Sequence, residues 1–135
     1  MNQLNETAKY KKVMIIDDTY VDRYVAERNI KKYGFAEVVI TKESAIAALA
    51  YLKALSENKE EMPQLIFLDI RMPEMDGFGF LSEYAKFNDD VKSNCIIMML
   101  STSLNPDDHD RANANPYVQK FLTKPLNSER LAELS

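Results

Sequence analysis

With 135 residues, 46% hydrophobic and 28% charged, the chain has the size and balance of one soluble globular domain, and its three glycines and five prolines exclude a low-complexity or fibrous polymer. Seventeen basic against 21 acidic residues leave a net charge of −4, which excludes bulk electrostatic capture of a nucleic-acid backbone. The single cysteine, Cys95, can form no internal disulfide and has no Cys or His cluster around it, which excludes a zinc framework and suits a reducing compartment.

In chain order, residues 1–9 read as a polar N-terminal extension ahead of one domain over residues 10–135. The extension lacks the apolar centre of a signal peptide, and its Asn5-Glu6-Thr7 triplet matches the glycosylation pattern without any secretory context. Val13 to Ile16 is the first apolar run and predicts a strand. Val21, Tyr24 and Val25 give the next stretch helical character, and Gly34 is placed to close it in the left-handed conformation. Val38 to Ile40 predicts a second strand, and Ala45, Leu49 and Leu52, at steps of four and three, a second helix. Ser56 to Met62 is polar and reads as a surface loop, and Pro63 precedes a third strand at Leu65 to Leu68. Cys95 to Leu100 predicts the fourth strand; like every apolar run in the chain it is far shorter than the roughly 20 residues a membrane-spanning helix needs. Asn105-Pro106 reads as the cap and first turn of a helix, Val118 to Leu122 as the fifth strand, and a short last helix can begin only near Ser128. Continuous runs of this kind point to strands buried on both faces, and their alternation with helices predicts a parallel sheet covered on both sides. A cytoplasmic protein with no membrane or direct nucleic-acid partner is expected.

In open α/β sheets, ligands bind outside the carboxyl ends of the strands. Asp17 and Asp18 follow the first run, Asp69 the third, Ser101 the fourth and Lys124 the fifth, so parallel strands would bring all five side chains to one edge. Three carboxylates in one place cannot all stay ionised without a cation. A ligand set of oxygen without His or Cys points to Mg²⁺ or Mn²⁺. Adding a lysine and a hydroxyl makes a site for a phosphoryl group, with Asp69 as the carboxylate nucleophile and Ser101 as its competitor. Each residue alone is more often a turn, a cap or a surface lysine; the signal is their joint occurrence, in this order, at separate strand ends.

These residues resemble the receiver domain of response regulators of the CheY-like kind, over about Tyr10 to Leu134. Ile15-Ile16-Asp17-Asp18 is similar to the family's acidic pair. The most specific stretch, Leu65-Ile66-Phe67-Leu68-Asp69-Ile70-Arg71-Met72-Pro73-Glu74-Met75-Asp76-Gly77, resembles its phosphoacceptor segment. The resemblance implies a flavodoxin-like (βα)5 domain with strand order 2-1-3-4-5. It implies a receiver of the two-component phosphorelay, phosphorylated on Asp69 by a histidine kinase or histidine phosphotransfer protein, and no enzyme beyond its own phosphorylation and slow self-dephosphorylation. Asp18, Asp69 and the Arg71 backbone carbonyl would bind Mg²⁺ directly and Asp17 through water. Lys124 would pair with the phosphoryl group across a cis Lys124-Pro125 bond. Ser101 and Phe121 take the switch positions, which implies a phosphorylation-dependent surface of the fourth helix, fifth strand and fifth helix for an unknown downstream protein. Phe121 replaces the tyrosine common among the best-known members and so carries no hydroxyl. Arg71 and Ser103 flank the approach to the phosphoryl group and would modulate its lifetime. A stand-alone receiver is expected, either a monomer or a dimer that depends on phosphorylation.

Other readings fare less well. A haloacid-dehalogenase-like phosphatase needs an acid two residues after the nucleophile, where Arg71 stands, and a receiver-like module that has lost phosphorylation would usually lack one of the five key residues. His109 reads as a solvated helix residue, Met98 and Met99 as buried strand residues, and Gly77-Phe78-Gly79 lacks the third glycine of a nucleotide-binding loop.

Overall fold

A computed structural model of the chain describes residues 8–134, so the Asn5-Glu6-Thr7 triplet and most of the expected extension lie outside the described residues. Strands β1 (Tyr10–Ile16), β2 (Ala36–Lys42), β3 (Leu65–Leu68), β4 (Ile96–Ser101) and β5 (Val118–Thr123) alternate with helices α1 (Tyr20–Lys32), α2 (Ala45–Ala54), α3 (Gly77–Tyr84), α4 (Pro106–Ala114) and α5 (Ser128–Glu133). A 3-10 turn at Lys59–Glu61 and a single helical turn at Asp89–Lys92 complete the order. All strand pairs are parallel, in the order β2-β1-β3-β4-β5. The flavodoxin-like expectation is met.

Alternation along the central strands makes two cores. Met14, Ile16, Ile66, Leu68, Ile97 and Met99 face α2, α3 and α4, meeting Leu52, Phe80, Tyr84 and Ala112. Val13, Ile15, Leu65, Phe67, Met98 and Leu100 face α1 and α5, meeting Ala26, Ile30 and Leu131. Burial on both faces holds for the buried ends of the three central strands and fails at the edges. β2 and β5 each have a single neighbour strand and are largely half-buried or exposed, with Val38 41% exposed.

Helix boundaries follow local chemistry. Gly34 takes a φ of 64° after α1, and Asn105 caps α4 by accepting the Asp107 N–H at 2.9 Å with Pro106 in the first turn. Asn127 likewise accepts the Arg130 N–H at 3.0 Å to open a short α5. The helical stretch before Gly34 is as expected; its sheet-facing stripe is Ala26 and Ile30, while Val21 and Tyr24 point outward beside Tyr20, whose ring stacks on Tyr24 at 6.3 Å. One expectation needs correction. Ser56 to Met62 is not wholly a surface loop: Met62 is buried in the α2–α3 core and Lys12 Nζ donates to the Glu61 carbonyl at 2.7 Å. Among the described residues, no helix is long and apolar enough to cross a membrane.

Candidate functional site

The ladder hydrogen bonds run one residue past β1 and β3 and fix the two carboxylates that follow. Asp17 N–H donates to the Lys42 carbonyl at 3.1 Å, and Asp69 N–H to the Ile16 carbonyl at 3.0 Å. Both stand where the chain leaves adjacent strands in different directions, the crevice that open parallel sheets offer to ligands. Each carboxylate has one oxygen taken by nearby backbone: Asp17 Oδ1 accepts the Thr19 N–H at 2.9 Å and Asp69 Oδ1 the Ile70 N–H at 2.8 Å. The Oδ2 atoms are left to the shared space. Lys124 Nζ lies 2.7 Å from Asp17 Oδ2 and 3.4 Å from Asp69 Oδ2. Asp18 is exposed, yet it offers an oxygen that lies within 4.8 Å of those of Asp17 and Asp69.

Asp17 and Asp69 are 2% and 6% exposed, so their charges are poorly solvated. Burial, followed by the neighbouring Asp17 charge, pushes Asp69 up to about 6 against the opposing pull of Lys124 and the Ile70 N–H. Burial also disfavours charge on Lys124, but hydrogen bonds to Asp17 and Asp22 and the field of Asp69 overcome it and hold the ammonium above the usual lysine range. The cluster is acidic and bridged by one ammonium. Its donors are all oxygen, the set a hard divalent cation prefers, so the residues present fit Mg²⁺ or Mn²⁺.

Ser101 is buried at the end of β4, where its carbonyl accepts the Lys124 N–H at 3.0 Å and its Oγ accepts the Ser103 N–H at 3.1 Å. The Lys124-Pro125 peptide bond is cis. Phe121, on β5, is half-buried and packs against the core under α4. Arg71 turns its guanidinium to Asp108, with Nη2 2.6 Å from Oδ2, and Ser103 Oγ donates to that same oxygen at 2.7 Å.

Three participants escaped the sequence. Asp22 binds Lys124 at 2.8 Å from the first turn of α1; its place three residues after Thr19 reads as half of a capping pair, yet Thr19 makes no side-chain cap. Asp108 is 3% exposed, although it lies in a run of polar residues. His109 is not a solvated residue: its Nε2 lies 2.9 Å from the Ser103 carbonyl and its ring stacks on Phe121 at 4.0 Å. Asp22, Asp108 and His109 each have a partner on another element, Lys124, Arg71 and Phe121, and local pattern carried no signal for those pairings.

The family described as response regulator receiver domain matches residues 13–134, nearly the whole chain. The chain belongs to this family. Among related proteins, protein PilG of Pseudomonas aeruginosa is 33% identical over 121 residues, which cover 89% of this receiver and 81% of PilG. Among solved structures, a two-component response regulator from Cytophaga hutchinsonii superposes with a TM-score of 0.85 at 28% identity, covering 93% of this chain and 94% of that one. The receiver domain of the histidine kinase CKI1 from Arabidopsis thaliana, complexed with Mg²⁺, gives 0.77 at 27% identity and covers 93% and 92%. Some relatives are far longer: the receiver spans 14%, 12% and 6% of three histidine kinases.

Proposed function

We propose that residues 10–135 are a phosphorylation-dependent signalling receiver in which Asp69 takes a phosphoryl group from a phosphohistidine of a histidine kinase or phosphotransfer protein. The observation that carries this reading is the free Oδ2 of Asp69, 3.4 Å from the Lys124 ammonium and beside Asp17 and Asp18. Asp69 Oδ2 attacks phosphorus, the P–N bond to the donor imidazole breaks, and the acyl phosphate forms on the carboxylate. Asp18, Asp69 and the Arg71 carbonyl hold Mg²⁺, with Asp17 acting through water. When bound, the metal supplies charge to offset the phosphoryl oxygens and lets the carboxylates stay ionised together. The magnesium complex of the CKI1 receiver supports the choice of metal. Lys124 then exchanges Asp17 and Asp22 for a phosphoryl oxygen, and the Ser101 hydroxyl donates to another.

Drawing Ser101 inward opens space that Phe121 fills, and the surface of α4, β5 and α5 is remodelled for a downstream protein. Arg71 and Ser103 set how readily water reaches the acyl phosphate. The module catalyses its own phosphorylation and slow dephosphorylation only. Treatment with acetyl phosphate and Mg²⁺ should add one phosphoryl group by intact mass, and Asp69→Asn should abolish it; label retained in Asp69→Asn would transfer the assignment to Ser101.

A further inference from the structure

Ser103 is held at all of its polar groups. Its N–H donates to Ser101 Oγ at 3.1 Å, its hydroxyl to Asp108 Oδ2 at 2.7 Å, and its carbonyl lies 2.9 Å from His109 Nε2. The Ser103 oxygen also accepts the Asn105 N–H at 3.2 Å, so the segment from Ser101 to α4 is strapped onto the first turn of that helix. Asp108 Oδ2 is the shared acceptor, because the Arg71 guanidinium reaches it at 2.6 Å from the loop after β3. The result is a hydrogen-bonded path from Arg71, two residues after Asp69, through Asp108 and Ser103 to Ser101. The Asp108 carboxylate is buried, and Arg71 is its only ion-pair partner among the described residues, while the Arg71 side chain is 62% exposed.

We propose that Asp108 is a positioning residue that clasps Arg71 and Ser103 together in the unphosphorylated receiver and competes with the acyl phosphate for the Arg71 guanidinium once Asp69 is phosphorylated. The inference rests on the reading of Asp69 as phosphoacceptor and concerns its regulation. While the clasp is closed, the Arg71 guanidinium is occupied and is withheld from the phosphoryl group. Ser101 is also restrained, because moving its hydroxyl inward breaks or drags the Ser103 N–H bond. Releasing the clasp frees a cation two residues from Asp69 to cover the acyl phosphate and slow water attack. His109 carries the same loop movement to Phe121 through their stacked rings. Asp108 therefore acts on the lifetime of the acyl phosphate through Arg71 and on the loop through Ser103.

Asp108→Asn is nearly isosteric and removes the charge that holds Arg71. Decay of the phosphorylated protein in excess Mg²⁺ should slow by about three- to fivefold in this variant, a modest factor because the pair is partly solvated. In an Arg71→Ala background the same substitution should leave the decay unchanged. A purely structural role for Asp108 would not make its effect depend on Arg71. Amide hydrogen exchange of the unphosphorylated protein gives an independent reading: Ser103 and Asn105 amides should exchange about tenfold faster in Asp108→Asn. Unchanged decay, or an equal change with and without Arg71, overturns the clasp. If the parent protein takes up no label, the Asp69 reading fails and the clasp falls with it; label uptake in the parent with unchanged protection at Ser103 and Asn105 overturns the clasp alone.

Discussion

Asp69 owes its character first to burial and then to the Asp17 charge, which disfavour its ionised form, with Lys124 and the Ile70 N–H pulling the other way. Its pKa of about 6 lies above the unfolded value, so the folded metal-free protein binds the proton more tightly than the unfolded chain does. The stability this contributes is complete below about pH 4 and is lost as pH rises through about 6. Metal-free protein should accordingly lose stability relative to Asp69→Asn across that window, and the difference in melting temperature between the two tracks it. Mg²⁺ must displace the proton, so its affinity should fall about tenfold per pH unit below 6 and level off above it. Calorimetric titration from pH 5 to 8 measures this; a flat profile would sink the burial account of Asp69. Asp18 is exposed and makes no buried contact, so Asp18→Ala should weaken Mg²⁺ by far more than Glu74→Ala while leaving the melting temperature nearly unchanged.

The loop from β3 into α3 is where a backbone must pass closest to the site. Glu74 takes a φ of 68°, a left-handed conformation, and Gly77 N–H donates to the Ile70 carbonyl at 2.8 Å to close the turn. A Cβ on Gly77 would collide with the Asp69 carbonyl oxygen and lie 2.8 Å from Met99 Cε. Gly77→Ala should destabilise by about 2–3 kcal/mol, because backbone cannot give way as a side chain can. Gly79→Ala meets chiefly the Met75 side chain, and the gain in helix propensity offsets much of its cost. Urea midpoints at constant slope distinguish the two. At the other end of α3, Tyr84 is fully buried against Phe80, Phe87 and Tyr117, and its hydroxyl sits beside the Cys95 thiol, a weak partner, with no hydrogen bond of good geometry among the described residues. Burial holds that phenol above its usual range. Tyr84→Phe should stabilise the fold by about 1 kcal/mol, seen as a higher melting temperature, since it removes an unmade bond and keeps the ring.

In the domain as a body, the two cores are apolar and buried, and the carboxyl edge of the sheet carries the polar network. Beryllofluoride with Mg²⁺, an analogue of the acyl phosphate, should therefore shift NMR resonances of Ser101, Ser103, His109 and Phe121 and leave those at the opposite edge, around Lys11 and Gln64, unmoved. No change near Phe121 would break the link between site and surface even with Asp69 confirmed. Much of this architecture was readable from residue order. Buried strands betray themselves as continuous apolar runs, and a parallel crossover places every strand's end at one edge, so Asp17, Asp18, Asp69, Ser101 and Lys124 could be grouped before any coordinates. The caps at Gly34 and Asn105 were legible for the same reason, since each is set by near neighbours in the chain. What stayed hidden depends on which face of a helix turns toward which loop. Asp22 reaches across 102 residues to Lys124, and Arg71 across 37 to Asp108, and neither pairing leaves a periodicity in the sequence. Tyr20 and Tyr24 repeat at the same spacing as Ala26 and Ile30, and only the packing of α1 on the sheet chose the small stripe for the inside. Local chemistry sets turns, caps and strand character within a few residues, whereas the pairing of charges from distant elements is decided when the layers dock and burial makes an unpartnered carboxylate too costly to leave.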